Sequence, residues 1–259
     1  LHWAANNDNT YTINLLLQNF ANIDVTSKDG RTALHRAAGH GYKQAVLALV
    51  TRNEDNDTTM AQFPGAQLNL KAIFDNHTPL HDALYNPHRS NIGDQVRVMN
   101  NVKDIVELLI GKTRNFEQIT NKPPVKADGL AVLYCAQFGQ QSAVLSMRQQ
   151  VQNIRTEMMK MFKSKLSTSE FKEALKYEDP VTGRTALHFA AEYGNGPMIE
   201  FLLQYSTEWD KEDRSGNKPI DLALSRSRSL VQLLRHANHR NEVSAMARGG
   251  QSTDTQPVV

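Results

Sequence analysis

One short phrase recurs along this chain at a nearly fixed interval. The two clearest copies are DGRTALHRAA at 29–38 and TGRTALHFAA at 182–191, with shorter versions LHWAA, TPLHDA and KPIDLA beginning at Leu1, Thr78 and Lys218. The phrase advances by 33 residues from Leu1 to Leu34, and by 33 again from Leu187 to Ile220. A repeat of this length is one structural unit that cannot bury its apolar face alone, so neighbouring copies must stack. The sequence therefore predicts a linear stack of units rather than one central core.

The Thr-x-Leu-His phrase and its period resemble the ankyrin-repeat family. The resemblance implies an all-α solenoid in which each unit is a tight turn, a short helix, a reversal and a second helix. We predict about six repeats, with inserted loops and an extra helical insertion. They are anchored at Leu1, Leu34, Leu80, Leu133, Leu187 and Ile220. Arrays of this family bind other macromolecules and rarely catalyse reactions, so we expect a protein-binding module.

Three longer intervals between the anchors indicate insertions. An excess of 13 residues between repeats two and three falls on the polar segment 52–65. A further 14 residues around 87–101 separate the two helices of repeat three, which predicts a projecting loop. Pro123 and Pro124 mark a smaller extension before repeat four, which is the most degenerate copy.

The third large insertion is helical. From Gln140 to about Lys165 the pattern has no stop signal, and its apolar residues form a heptad-like seam. The seam consists of Met147, Val151, Ile154, Met158 and Met161. Ser167 and Glu170 then have the spacing of a capping box that starts a short helix. We divide the chain into repeats one to three with the first part of repeat four (1–139), the helical insertion (140–178), repeats five and six (179–237) and a disordered tail (238–259).

Composition excludes several classes of protein. The chain has 29 Lys and Arg against 27 Asp and Glu, and this balance gives no electrostatic footprint for nucleic acid. No apolar run approaches the roughly 18 residues that a membrane span requires. A single cysteine excludes an internal disulfide framework and favours a reducing compartment, so we expect a cytoplasmic protein. We also expect it to be a monomer. Because the chain begins inside a repeat, we expect it to be an excerpt of a longer protein.

No catalytic, metal or cofactor site is predicted. Four histidines, His2, His35, His81 and His188, occupy the Leu-His position, where a structural role is expected. The other histidines lack the spacing of a zinc site with thiols or carboxylates. Cys135 occupies an alanine position of a helix, where thiols are buried and inert.

The family's geometry supplies the predicted binding residues. Ankyrin arrays are expected to contact partners with their turn tips and with the concave face of the first helices, and Tyr and Arg are enriched at binding hot spots. Mapped onto this sequence, these positions are Arg31, His40, Asp75, His77, Tyr85, Phe138, Arg184, Glu192, Tyr193 and Arg226.

Three further interpretations stay open. Abundant Asn and Gln, with irregular repeats and long inserts, resemble bacterial ankyrin effectors, which implies a host protein as partner and secretion into the host cytosol. An enzyme would need a pocket near Tyr134, Cys135 and Lys176, where repeat four meets the helical insertion. A membrane-surface adaptor would use the basic, Met-rich segment 147–165 as an interfacial helix; the alternative is that its seam packs against the array.

Overall fold

The chain folds into two layers of helices joined by turns. The computed structural model describes residues 1–51, 66–85, 95–120, 129–137, 145–206, 209–224 and 226–236. These residues form thirteen helices and no strand. The inner layer contains α1 (His2–Asn6), α3 (Ala33–Gly39), α5 (Pro79–Tyr85), α7 (Gly129–Gln137), α10 (Ala186–Glu192) and α12 (Pro219–Leu224). The outer layer contains α2 (Thr10–Gln18), α4 (Lys43–Val50), α6 (Gln95–Thr120), α8 (Leu145–Lys165), α11 (Gly196–Leu202) and α13 (228–236).

Each helix packs on its counterpart in the next repeat, so the core is a continuous strip between the layers. The paired alanines of the repeated phrase make this possible, since Ala37, Ala38, Ala190 and Ala191 are fully buried where the helices meet. The predicted all-α solenoid of six helix pairs is confirmed for the described residues.

The histidine of each Leu-His pair links one repeat to the next. In repeat two the backbone N–H of Thr32 donates to His35 Nδ1 at 3.1 Å, which leaves Nε2–H to donate to the carbonyl of His77 at 3.1 Å. Burial lowers the pKa of His35, so the ring stays neutral in this role. The same bond to the next turn is made from His2 to Arg31 at 2.9 Å and from His188 to Asn217 at 3.1 Å.

Repeat three differs from its prediction. We expected 87–101 to be a projecting loop, but α6 begins at Gln95 and runs for 26 residues. Met99 and Val102 continue the apolar face of Ile105 and are buried with it, so this part of the insertion lengthens the outer helix. The expected loop at 52–65, the remainder of the second loop at 86–94, and Pro123 and Pro124 lie outside the described residues.

Repeat four keeps its place in the stack. Its inner helix, α7, lies between α5 and α10, while its long outer helix, α8, packs between α6 and α11. Lys103 of α6 and Glu157 of α8 form an ion pair at 3.0 Å. After α8, the capping box of Ser167 and Glu170 forms as expected and starts the additional helix α9 (Thr168–Leu175), which packs on α7 and α8.

The helix α8 buries part of the predicted seam. Ile154 and Met158 are buried, Val151 and Met161 pack against the core while partly exposed, and Met147 is partly exposed. Met159 and Phe162, which lie outside the seam, are buried as well. Much of the apolar surface that an interfacial helix would insert into lipid is therefore packed against the array. None of the described helices is both long enough and apolar enough to cross a bilayer. The predicted tail, 238–259, is outside the part of the chain that the structure describes.

Candidate functional site

The inner helices leave one face uncovered by the outer layer. We assign to this face, among the described residues, the residue after the Leu-His position of each repeat and the residue three positions later. We call this surface, together with the turn tips beside it, the concave face. Its first row contains Trp3, Arg36, Asp82, Tyr134, Phe189 and Leu222, and its second row contains Asn6, Gly39, Tyr85, Gln137 and Glu192.

The burial of residues in repeat four changes how this repeat aligns with the recurring phrase. We had matched Leu133 to the leucine and Tyr134 to the histidine of the phrase. The burial pattern shows instead that Leu133 stands at the histidine position and Tyr134 at the variable one, since Leu133 and Cys135 are buried while Tyr134 is partly exposed. One residue is missing between the turn and the helix, and this shift places an aromatic hydroxyl on the concave face.

A polar network built around two buried residues, His77 and Asp82, lies at the centre of this face. The guanidinium of Arg31 donates from Nε to Asp82 at 2.8 Å and also contacts Asp75. The second donor to Asp82 is Nδ1 of His77, at 3.0 Å, while Nε2 of the same ring contacts the hydroxyl of Tyr134 at 2.9 Å. We call Arg31, Asp75, His77, Asp82 and Tyr134 the central network; it joins repeats two, three and four.

The network keeps Asp82 ionised although the residue is only 1% exposed. Burial by itself would raise the pKa of Asp82, but the hydrogen bonds from His77 and Arg31 and the charge of Arg31 outweigh burial and lower it. An ionised carboxylate only accepts hydrogen bonds, so His77 Nδ1 carries a proton. An unprotonated Nε2 accepts a hydrogen bond from the Tyr134 hydroxyl, and a protonated Nε2 donates one to it.

The order hydroxyl, imidazole, carboxylate is also that of a nucleophilic triad, but the chemistry differs. Burial raises the pKa of Tyr134, which keeps the phenol protonated at neutral pH. The oxygen and nitrogen atoms of Asp75, His77 and Asp82 lie within 4.8 Å of one another, as in a metal site. Arg31 supplies one positive charge between the two carboxylates, so it offsets their charge in part.

Beside the central network lies a depression of about 240 Å³. Its floor is at Gly39, and its walls include Arg31, Arg36, His40 and Tyr85. His40 Nε2 contacts the side-chain oxygen of Asn6 at 2.8 Å, which fixes that wall to repeat one. Tyr85 is 42% exposed and packs its ring near those of His77 and Tyr134.

A second polar cluster occupies the concave face of repeat five. Arg184 donates to Glu192 at 2.9 Å and to Asp213 of the next turn at 2.9 Å. Arg226 donates to the backbone carbonyl of Glu192 at 2.7 Å. Tyr193 stacks on Phe189 with an interplanar angle of 10°.

The structure thus brings the predicted residues into two groups. Arg31, Asp75, His77 and Tyr85 belong to the first, with His40 on its rim; Arg184, Glu192, Tyr193 and Arg226 belong to the second. Phe138 lies outside the described residues. His77 is buried, so it organises the surface rather than presenting its own ring. Asp82 and Arg36 were not selected from the sequence, and Tyr134 was named only for an enzyme pocket, although an aspartate at the variable position of repeat three was a visible signal.

The stability of the fold is expected to depend on acid pH through Asp29, whose carboxylate pairs with Arg31 and Arg36. Burial alone would raise the pKa of Asp29, but hydrogen bonds from Ser27 and Arg31 and the charge of Arg36 lower it to about 2. A lowered native pKa stabilises the fold at pH values above the unfolded value of about 3.9, and this stabilisation is lost as the pH falls through the native value. We expect the thermal midpoint to decline between about pH 4 and pH 2, with a shallower decline in Asp29→Asn. Calorimetry across this range tests it; an equal slope in both proteins would contradict it.

The residues proposed for an enzyme pocket do not assemble a reactive centre. Cys135 is fully buried, and burial raises the pKa of its thiol to about 12, so the reactive thiolate is scarce at neutral pH. Lys176 is exposed and pairs with Glu173 at 2.7 Å.

Two models of ankyrin repeats match separate parts of the chain. A family model described as "Ankyrin repeats (many copies)" matches residues 1–50, and one described as "Ankyrin repeats (3 copies)" matches 151–245. The chain is 31% identical over 83 residues to Protein glp-1 of Caenorhabditis elegans, and 33% identical over 79 residues to Ankyrin repeat and SOCS box protein 6 of Mus musculus. These matches cover 32% and 30% of this chain, but only 6% and 19% of the two relatives.

Solved structures share the fold over most of the chain. An ankyrin repeat domain from Acinetobacter baumannii AYE matches with a TM-score of 0.57 at 18% identity, over 92% of this chain and 96% of that one. A chain of the complex between a predatory endopeptidase from Bdellovibrio bacteriovorus and an immunity protein matches with a TM-score of 0.56 at 18% identity, over 91% of this chain and 96% of that one. At this identity the likeness establishes the fold alone. Together with the repeated phrase, the two layers of helices and the family matches, it shows that this chain belongs to the ankyrin-repeat family.

Proposed function

We propose that this chain binds a partner protein through the concave face and turn tips of its array, and that it has no catalytic activity of its own. Ankyrin repeats are generally protein-interaction modules, and the family is typically non-enzymatic. The observation that carries the proposal is the central network. It fixes aromatic and charged side chains on the concave face before any partner arrives.

A side chain that is already ordered in the free protein loses little conformational entropy when the partner binds. Tyr85 lies 5.2 Å from the ring of Tyr134 and 5.5 Å from that of His77, measured between ring centroids. Tyr193 is held in the same way by Phe189. Rigid tyrosines with an exposed edge are the side chains from which binding hot spots are built.

The proposal is tested by removing both rings. We expect the double variant Tyr85→Ala, Tyr193→Ala to bind the partner at least about tenfold more weakly, because truncating a hot-spot aromatic costs about 2 kcal/mol or more. The partner is captured from lysate, identified by mass spectrometry and purified, and its Kd is measured by isothermal titration calorimetry. Circular dichroism checks that the variants are folded.

A matched control is available on the other layer. Tyr11 in α2 is 77% exposed and belongs to the outer helices. We expect Tyr11→Ala to bind with the parent's affinity. If the double variant also binds as tightly as the parent, the site lies on the inserted segments or on α8 and α9, and the concave-face proposal is wrong.

A narrower proposal concerns the partner's source. Irregular repeats with long insertions and a composition rich in Asn and Gln support a bacterial effector that acts on a host protein in the host cytosol. Capture from eukaryotic and bacterial lysates in parallel tests this. A specific partner found only in the bacterial lysate would contradict it.

A further inference from the structure

Repeats two and five carry the same scaffold but differ at several positions of the concave face, of which one changes its shape most. Their phrases align from Thr32 to Gly41 and from Thr185 to Gly194, which places Gly39 opposite Glu192. In repeat five, the Glu192 carboxylate accepts a hydrogen bond from Arg184 at 2.9 Å. In repeat two the corresponding arginine is Arg31, and no side chain extends from Gly39. The depression described above occupies this place.

The walls of the depression offer hydrogen-bond donors. Arg36, where repeat five has Phe189, is 35% exposed at its side chain and makes one hydrogen bond within the described part of the chain, from Nη2 to Asp29 at 2.7 Å. A guanidinium has five N–H groups, so Arg36 retains donors for a ligand.

The one carboxylate on the walls does not compete for these donors. Asp82 is 1% exposed and already accepts hydrogen bonds from Arg31 and His77. Asp29 and Asp75, beside the depression, also pair with its arginines: Asp29 lies 2.7 Å from Arg36 and 3.4 Å from Arg31, and Asp75 contacts Arg31. Among the residues that line the depression itself, two guanidinium groups stand against one carboxylate, and the N–H groups that Arg36 retains require a hydrogen-bond acceptor. A carboxylate suits them in particular, since planar guanidinium groups bind carboxylates through two parallel N–H···O bonds.

We propose that the depression at Gly39 binds an Asp or Glu side chain of the partner protein. The incoming carboxylate takes the place that Glu192 occupies in repeat five and receives hydrogen bonds from Arg36, while Tyr85 packs against its aliphatic part. This inference rests on the proposed protein-binding function and adds the chemistry of the partner, an acidic peptide segment.

The test uses a random 12-residue peptide library displayed on phage and selected against the parent chain. We expect enriched peptides to share one Asp or Glu. Replacing that residue by its amide should weaken binding at least about tenfold, because it removes a charge-assisted pair. Two variants of the protein test the site from the other side. Gly39→Glu places the protein's own carboxylate in the depression, and Arg36→Gln removes the positive charge of the guanidinium. Both variants should bind the acidic peptide at least about tenfold more weakly.

Two controls separate the chemistry from folding. Gly39→Ala adds a single methyl group at the same helical position and should retain most of the affinity. Asp104→Asn changes an exposed carboxylate of the outer helix α6, away from the concave face, and should bind the acidic peptide like the parent. Thermal unfolding followed by circular dichroism shows whether each variant is folded.

The outcomes distinguish the two proposals. If peptides are enriched without an acidic preference, bind Gly39→Glu like the parent and are lost from Tyr85→Ala, Tyr193→Ala, the acidic-partner inference is wrong while the concave face remains the binding site. If no peptide is enriched, or if enriched peptides bind all these variants equally, both proposals are overturned.

Discussion

Replacing Asp82 with alanine is expected to lower the free energy of unfolding by about 3–5 kcal/mol, because it removes one partner of a buried, hydrogen-bonded charge pair. The guanidinium of Arg31 and the imidazole of His77 would lose a shared acceptor that sits 2.8 Å and 3.0 Å away. Asp82→Asn keeps the shape and one acceptor oxygen, so a smaller loss is expected. Urea unfolding followed by circular dichroism measures both.

The control is an exposed ion pair with the same distance between its nitrogen and oxygen atoms. Lys43 and Asp104 are also 2.8 Å apart, but both side chains are 39% exposed. Removing Asp104 should cost below about 1 kcal/mol, since water screens such a pair. A double-mutant cycle of Arg31→Ala and Asp82→Ala should give a coupling energy of about 1–3 kcal/mol. If Asp82→Ala costs no more than Asp104→Ala, the central network does not stabilise the array.

Gly30→Ala should destabilise the array by about 2–4 kcal/mol. Gly30 has φ +78°, in the left-handed region, where a non-glycine residue costs about 1–2 kcal/mol. An added Cβ would also lie 2.6 Å from the backbone nitrogen of Ile73. That backbone must move, which disturbs the hydrogen bond from the Ile73 N–H to the carbonyl of Asp29, at 2.9 Å. Thermal and urea unfolding of the variant test this.

Gly216 separates the two causes. Its φ is +79°, but an added Cβ would meet no atom within 4 Å. Gly216→Ala should therefore cost only the backbone strain, about 1–2 kcal/mol. Equal losses in the two variants would show that contact with the neighbouring turn is unimportant. A larger loss in Gly30→Ala confirms that adjacent turns are packed too tightly for a side chain at this point.

The fold could be predicted because its signal is local and repeated. The recurring phrase placed the inner helices, and the apolar seam from Met147 to Met161 placed the long outer helix α8. The start of α6 was missed because the insertion was located by counting residues between anchors. Met99 and Val102 continue the helical spacing of Ile105, and this continuity was the better guide to where the helix begins.

The candidate site was only partly predictable because its contacts cross the insertions. Arg31 and Asp82 are 51 residues apart in sequence, and an irregular interval hides the fact that they meet. Tyr134 was displaced by the single residue missing from repeat four, which moves it from a buried position to the concave face. Only packing against neighbouring helices reveals such a shift.

The central network also has a consequence for how the array comes apart. In a repeat protein, coupling usually reaches only from one repeat to its neighbour, so the ends fray independently of the middle. Here Arg31 in the second repeat, Asp82 and His77 in the third and Tyr134 in the fourth share one set of hydrogen bonds. These three repeats should therefore open together as one cooperative unit, and their amides should exchange with solvent more slowly than those of the terminal helices.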